Sequence, residues 1–511
     1  MVQHGPQYCK GLRKPEQVHH SGLESLTALS TGYADELLQA LRRVAGKSGA
    51  ELYLVGGTVR DCLLGRVSHD LDLAVSGSVV SIAKMLQREL GEGTLVDLSS
   101  PDEETVRLVW RGEQIDISCF RAGVQSIEED LPLRDFTINA MAMQLAAVTG
   151  DGHDWALIDP TGGLDDLREG RIRHCPGAFI ADPVRMLRGY RLCATLGFHL
   201  QQTTKDSIRR HAPLIGHIAA ERIGYELQLI FDSSRTAETL REMAESGLLR
   251  QLLPELYLGE GVEQPEFHHL DVFDHCFLAL QMMESIIAEP DRFFPGYGER
   301  IGTYLKEANV IRCLKWAALM HDIGKPVTKE TRADKEGRVT FYGHDEVGRK
   351  MVQEFADRAK WSRADTEMVG SLISMHMHPF HLCNVQREEP ISKRAALKLC
   401  RRAEQRLTGL FLLAMSDSLA SRGEKKPERM EEELVALFTT VQKIYDEDIE
   451  PVLRGPRLLS GKDLIEEFKL APGPLFSEIL SELEAARVEG QVVDRGTALD
   501  WVNKFLQDRN S

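Results

Sequence analysis

Residues 54–73 constrain this chain more than any other stretch. They read Leu54-Val55-Gly56-Gly57-Thr58-Val59-Arg60-Asp61-Cys62-Leu63-Leu64-Gly65 and, after a short link, Asp70-Leu71-Asp72-Leu73. A short apolar strand (52–55) runs into two glycines, where backbone can approach a polyanion with no side chain in the way. An amphipathic turn of helix follows and carries Arg60. A second strand then holds Asp70 and Asp72, with Leu71 and Leu73 alternating inward. Residues i and i+2 of a strand share a face, so the two carboxylates sit side by side, ~7 Å apart along the backbone. A tight turn and a solvent-facing strand explain either half alone. Together, paired oxygen ligands and a glycine-lined cradle suit magnesium bound to a nucleoside triphosphate.

At 511 residues the chain is too long for one core and predicts about three or four domains. Its net charge of -16 argues against a generic nucleic-acid coat, because phosphate binding needs cations. The exception is 168–222, with ten Lys/Arg against four acidic residues. That segment reads as a defined RNA or nucleotide track, with a solvated mixed-charge face as the alternative. Nine scattered cysteines without a Cys-x-x-Cys pair fit a reducing cytoplasm. No run approaches the roughly 18 apolar residues of a membrane span, and the polar stretch 1–32 reads as a loose leader.

In chain order, helices are expected over 33–47 and 79–90, and strands over 94–98, 105–110 and 114–120. Asp116 alternates with Ile115 and Ile117; it is either a third carboxylate near the paired aspartates or a polar residue on an edge strand. Residues 121–132 form a short polar connection. In 133–140, Phe136, Ile138 and Ala140 supply a buried alternation, leaving Arg134, Asp135 and Asn139 as polar contacts for phosphate or a ribose hydroxyl. Pro160 and the following glycine pair set a turn before a helix at 164–169. Next, Asp182, Arg185, Arg188 and Arg191 recur every three residues along one side of a helix, with Met186, Leu187, Leu192 and Leu196 opposite. Asp182 before Pro183 also suits a helix N-cap. Residues 205–253 read as helical and 254–267 as a linker.

From His269 onward long helices carry placed histidines: His275, the pair His321-Asp322, His344, His376 and Asp417. Imidazole and carboxylate ligands at helix ends suit magnesium or a transition metal that activates water for phosphoester hydrolysis. His378 is an alternative to His376. Residues 422–433 read as a charged, solvated loop, and helices are expected over 462–468 and 475–489, with a closing helix to 506.

Strand, Gly-Gly, helix and Asp-x-Asp strand in this order resemble the nucleotidyltransferases of the polymerase-beta superfamily. LVGGTVRDCLLG with HDLDLAV is similar to the bacterial tRNA nucleotidyltransferase and poly(A) polymerase family. LPLRDFTINA resembles that family's RRDFTINA segment, with Leu133 where the first Arg stands. Residues 181–191 resemble its EDxxR motif, with Ala181 in place of Glu. The histidine region resembles the HD-domain phosphohydrolases.

The resemblance implies an α/β head with a polymerase-beta-like mixed sheet, followed by all-α neck, HD and C-terminal body domains. The expected divisions are 1–32, 33–155, 156–254, 268–440 and 441–511. It implies template-independent addition of C, with A left open, to tRNA 3′ ends from CTP and ATP with Mg2+. Asp70 and Asp72 would be catalytic and hold Mg2+. Gly56, Gly57, Arg60, Arg134, Asp135, Asn139, Asp182, Arg185, Arg188 and Arg191 would bind the nucleotide, with Asp182 and Arg185 reading the base. His275, His321, Asp322 and Asp417 would hold the HD-site ion, a transition metal or magnesium, and His344 and His376 a second one. In the family a loop at 121–132 is associated with switching to A addition, so its shortness here favours CC addition. The alternatives are a poly(A) polymerase using ATP and an HD-type phosphohydrolase. The reading places the protein in the cytoplasm, with no membrane and no protein partner.

Overall fold

The computed structural model describes residues 33–66, 70–99, 104–145, 157–264, 267–332 and 338–510. The expected leader at 1–32 lies outside them. The chain divides into two compact units, Met1–Arg235 with Thr239–Leu252 and Thr236–Glu238 with Leu253–Ser511. No helix among the described residues is long and apolar enough to cross a membrane.

The first unit is built on a mixed sheet. Helix α1 (Asp35–Ser48) leads into β1 (Leu52–Val55), α2 (Gly56–Leu63), β2 (Asp70–Val75) and α3 (Val79–Leu90). Strands β3 (Thr94–Asp97), β4 (Thr105–Trp110), β5 (Glu113–Cys119), β6 (Ala142–Gln144) and β7 (Leu157–Ile158) complete it. The spatial order is β3-β4-β5-β2-β1-β6-β7. Only β2 and β5 run parallel among these neighbours, pairing Asp72 with Asp116. The period-2 pattern explains the layering. Leu71, Leu73, Leu108, Ile115 and Ile117 are all fully buried, while α1 packs on α3 and α3 covers β4 and β5. The opposite face keeps its polar residues and becomes the floor of the site.

Two local expectations differ from the structure. Phe136, Ile138 and Ala140 are fully buried, but 137–139 is a tight 3-10 turn that also buries Thr137 and Asn139. The connection at 121–132 is no loose polar link: Ile127, Leu131 and the Asp130 carboxylate are buried within it.

Past the sheet, α4 (Arg185–Leu196) and α5 (Ala220–Asp232) pack on each other. Asp182 is not the N-cap expected for α4. The helix starts three residues later after Val184, without a side-chain cap, and Asp182 is extended.

The second unit is helical. Its core includes α6 (Val272–Ala288), α7 (Val310–Met320), α8 (His344–Arg358), α9 (Arg363–Met375) and α10 (Leu407–Ala420). The stretch read as a linker forms a 3-10 turn at Pro254–Gly259 and buries Leu256. The charged 422–433 segment ends inside a helix that begins at Met430. Helices α11 (Gly461–Phe468), α12 (Pro474–Val488) and α13 (Arg495–Asn510) close around a small core of Leu464, Ile479, Leu483 and Val502.

Gly163 tests how tightly the 137–139 turn is held. A Cβ there would lie 2.1 Å from the Thr137 carbonyl oxygen, a backbone atom that cannot rotate away. Gly163→Ala is expected to destabilise the first unit by about 1–3 kcal/mol, read as an earlier first transition in urea unfolding. An unchanged transition would show that the turn can shift freely.

Candidate functional site

A cavity of about 690 Å3 opens over the polar face of the sheet in the first unit. Its floor holds Asp72 and Asp116, one side Gly56, Gly57 and Arg60, and the other Arg121, Arg134 and Asp135. Val184, Arg185, Arg188, Arg191, Arg222, Tyr225 and Glu226 complete the wall. Asp70 sits at the exposed start of β2, two residues outward from Asp72 on the same face.

At the turn from β1 into α2, Gly56 adopts a φ of 65°, which a side chain resists. Its missing Cβ would also stand 3.1 Å from the Asp72 carboxylate. Asp72 therefore lies against the amino end of α2. Burial raises its pKa and Asp116 adds to the rise, while Arg134, the Gly57 amide and Arg60 pull the other way. A half-buried carboxylate raised by its neighbour is short of positive charge, and a divalent cation supplies it. Asp72 thus fits a divalent cation, with Asp70 on the same strand face as the candidate second ligand.

The cations are held by buried acids. Asp130 is fully buried and accepts from Arg134 Nε at 3.0 Å and Nη2 at 2.9 Å. It also accepts from the Arg121 amide at 2.8 Å, with Arg121 Nη1 at 3.3 Å. Against its burial, Arg134 and Arg121 hold its carboxyl below the usual range. One carboxylate thus keeps two arginines on the same wall despite their mutual repulsion.

A second chain of contacts runs through Asp135. Its Oδ2 accepts from Arg188 Nη1 at 3.0 Å, and its Oδ1 from Asn139 Nδ2 at 3.0 Å and the Phe136 amide at 2.8 Å. Asn139 Oδ1 accepts from Arg60 Nη1 at 2.8 Å, which fixes the amide orientation. Arg60 commits Nε and Nη2 to Asp61. Despite burial, Arg188 and Asn139 hold Asp135 well below the usual carboxylate range. Asp135 is therefore an ionised strut between α4 and the 137–139 turn.

On α4, Arg188 Nε and Arg191 Nε each lie 3.4 Å from the buried Glu226 of α5. Arg185 Nη1 donates to the carbonyls of Leu133 and Arg134 at 3.3 Å. Leu133 thus contributes its backbone to this contact, whatever its side chain. Asp182 Oδ2 accepts from Arg222 Nη2 at 2.7 Å.

Nine of the ten expected nucleotide-binding residues line one cavity; Asp182 does not, and neither does Asp70 at the outer end of β2. Arg121, Asp130, Arg222 and Glu226 were not singled out as site residues. Asp130 was detectable as an i,i+4 partner of Arg134; Arg222 closes the basic 168–222 segment and Glu226 follows it in the family-like neck, but no local pattern gives either its partner.

In the second unit His275, His321 and Asp417 present ligand atoms within 4.8 Å of one another, as do Asp322, His344 and His376. Asp322 groups with the second trio rather than the first, although its Oδ2 also lies 3.2 Å from His321 Nε2. One construction recurs three times: Nδ1 of His321, His344 and His376 meets the carbonyl three residues back at 2.9, 2.8 and 2.7 Å. That fixes the tautomer and turns a bare Nε2 inward, as metal-ligating histidines require. The Nε2 atoms of His275 and His321 are 3.2 Å apart, as are those of His344 and His376. Between His344 and His376, whose tautomers are both fixed, lone pairs face each other closely enough to call for a shared cation. Both Asp322 oxygens lack a well-aligned hydrogen bond, though Lys325 Nζ stands 2.6 Å from Oδ2. All six ligands are buried. His378 is outside the cluster, against Arg402 at 2.6 Å.

Family models match over 52–173 (Poly A polymerase head domain), 197–258 (Probable RNA and SrmB- binding site of polymerase A) and 272–404 (HD domain). The sheet, the cavity and these matches define a nucleotidyltransferase with a poly(A) polymerase-type head. An A-adding tRNA nucleotidyltransferase of Deinococcus radiodurans is 32% identical over 462 residues, covering 89% of this chain and 95% of that protein. A CC-adding tRNA nucleotidyltransferase of Thermus thermophilus is 32% identical over 449 residues, covering 86% and 91%. The chain belongs to the tRNA nucleotidyltransferase family. A Thermotoga maritima CCA-adding enzyme solved with tRNA shares the fold, with a TM-score of 0.61 at 21% identity over 94% of this chain and 98% of that one.

Asp130→Asn leaves Arg121 and Arg134 without their common counter-charge. It is expected to weaken CTP and ATP binding about tenfold and to cost about 3 kcal/mol of stability. Calorimetric titration and denaturant unfolding check this; unchanged nucleotide affinity would remove Asp130 from the cradle's support.

Proposed function

We propose that this protein adds nucleotides to tRNA 3′ ends, with CTP as its preferred substrate, at the cavity of the first unit. The observation that carries this reading is one cavity lined by two carboxylates in register, a glycine turn and a bank of arginines. Magnesium held by Asp70 and Asp72 would neutralise the triphosphate and favour attack by the RNA 3′-hydroxyl.

The chain's own residues account for the rest. Gly56 and Gly57 let backbone approach the phosphates closely. Arg134, with Arg121 beside it, offers fixed positive charge, and Arg60 keeps one hydrogen free on each terminal nitrogen after its bonds to Asp61 and Asn139. Arg185 presents a donor on the far wall, and Asp182, bonded to the lining residue Arg222, would supply the acceptor that completes a base edge. Arg188 and Arg191, held on Glu226, face the same space. Asp135 supports this wall; with both oxygens engaged, it acts on the ribose only through Arg188 and Asn139. No protein nucleophile is needed.

The connection at 121–132 is short and pinned at both ends by Asp130, so it has little freedom to remodel the wall between one base and the next. This supports CC addition. The relatives at 32% identity include an A-adding and a CC-adding enzyme, so the choice rests on this wall.

Incubating the protein with single labelled nucleotides and tRNA that either lacks CCA or ends in CC tests the reading. Two cytidines from CTP and no further growth are expected. Addition of one A to a CC end would reverse the specificity, and long ATP-only tails would make it a poly(A) polymerase. Asp182→Ala is expected to narrow the discrimination between CTP, ATP and UTP by about tenfold, in line with one charged hydrogen bond, with a smaller change in kcat. Unaltered base selection would leave Asp182 as a partner of Arg222 alone.

The HD cluster supports a second, separate reading as a metal site. Its six buried ligands resemble closed structural sites more than open catalytic ones. His321→Ala is expected to lose bound metal by elemental analysis and to lower the melting temperature, without affecting CTP addition. Metal-dependent phosphate release by the intact protein that His321→Ala abolishes would instead make the cluster a hydrolase.

A further inference from the structure

Three adjacent strands carry one row of charges across the cavity floor. Asp72 on β2 is in register with Asp116 on β5, and Asp116 is in register with Arg107 on β4. Arg107 grips Asp116 with two parallel bonds, Nε to Oδ1 and Nη2 to Oδ2, both 2.7 Å. The pair is not sealed away: the Arg107 and Asp116 side chains are 35% and 27% exposed, and Asp116 lines the cavity beside Asp72. Asp70 and Asp72 also act on the Arg107 guanidinium, adding to the upward pull of Asp116. The guanidinium thus stands at one end of a cross-strand row, bonded to Asp116, which is itself in register with Asp72.

A cross-strand ion pair alone would serve the sheet. A pair placed beside two metal-type carboxylates also does something to the metal. Its charge partly satisfies the row while no divalent ion is there, and the same charge repels an arriving one.

We propose that Arg107 is an exchangeable counter-cation that holds Asp116 away from the Asp70-Asp72 site and sets how much divalent metal the protein needs. The proposal rests on reading Asp70 and Asp72 as metal ligands. When metal and nucleotide bind, Arg107 releases Asp116 toward the cation and turns outward into solvent. Arg107 is a positioning residue; it touches neither substrate nor the reacting atoms.

The test is Mn2+ binding to the full chain without RNA, followed through the electron paramagnetic resonance signal of free Mn2+, with and without CTP. An Asp70→Asn/Asp72→Asn double variant gives the contribution of the HD cluster, which is subtracted. Arg107→Gln is expected to tighten the remaining Mn2+ binding about tenfold, the low end of what one neighbouring charge contributes. Arg107→Lys keeps the charge without the two-pronged grip and is expected to tighten it less. Adding Asp116→Asn to Arg107→Gln should cancel the gain, because the released carboxylate is its source.

The Mg2+ concentration for half-maximal extension should fall in the same order. Unchanged or weaker Mn2+ binding in folded Arg107→Gln and Arg107→Lys would overturn the proposal and leave a structural pair. Binding by the double variant equal to that of the unaltered protein would overturn the metal reading of β2 itself, and the proposal with it.

Discussion

Everything in the first unit depends on the close approach of the Asp72 carboxylate to the turn between β1 and α2. Gly56 takes a positive φ there, and a side chain would press against the carboxylate. The amino end of a helix and a strand-borne acid are thereby brought to one point. Phosphate oxygens and a divalent cation seek the same point, the first for backbone N–H groups and the second for carboxylate oxygens. The sheet order follows from that need. β2 must lie centrally, between β1 with its glycine turn and β5 with Asp116.

The cavity wall is a problem of like charges. Arg121 and Arg134 meet at Asp130, Arg188 and Arg191 meet at Glu226, and Arg188 also binds Asp135. Asp130 and Glu226 each offset the repulsion of two cations. Burial makes each such contact strong and its loss costly. This positive wall also concentrates cations at one place in a chain of net charge -16, as a polyanionic ligand would require. The second unit solves a related problem with histidine. Backbone carbonyls three residues back fix three rings in one tautomer and turn their Nε2 atoms toward the Asp322 and Asp417 carboxylates.

How much was legible in the sequence varies with the range of the forces involved. Gly56, Gly57, Asp70 and Asp72 were visible because glycine freedom and strand parity are local. The ridge of Arg185, Arg188 and Arg191 was visible because helix period is local too. The 137–139 segment was misread as an alternation because its burial comes from packing against the Gly163 turn, which overrides strand periodicity. Asp182 was open to a capping role because Asp-Pro favours a helix start. Its actual partner, Arg222, is 40 residues away, and only packing of α5 on α4 could supply it. The connection at 121–132 looked polar because a buried carboxylate and an exposed one are spelled alike.

By itself, then, the sequence determined the glycine turn and the Asp-x-Asp strand, the chain order of strands and helices around them, the arginine ridge and the six histidine and aspartate residues that form the buried cluster. Each of these is written in periodicity, in glycine placement or in residue types with few other uses. Tertiary structure alone decided which acid holds which arginine, that Asp116 stands in register between Asp72 and Arg107, and that Asp322 divides its oxygens between two groups of ligands. Those are pairings between distant residues, set by how strands register and helices pack, and side-chain charge acts only across the distances that the folded chain creates.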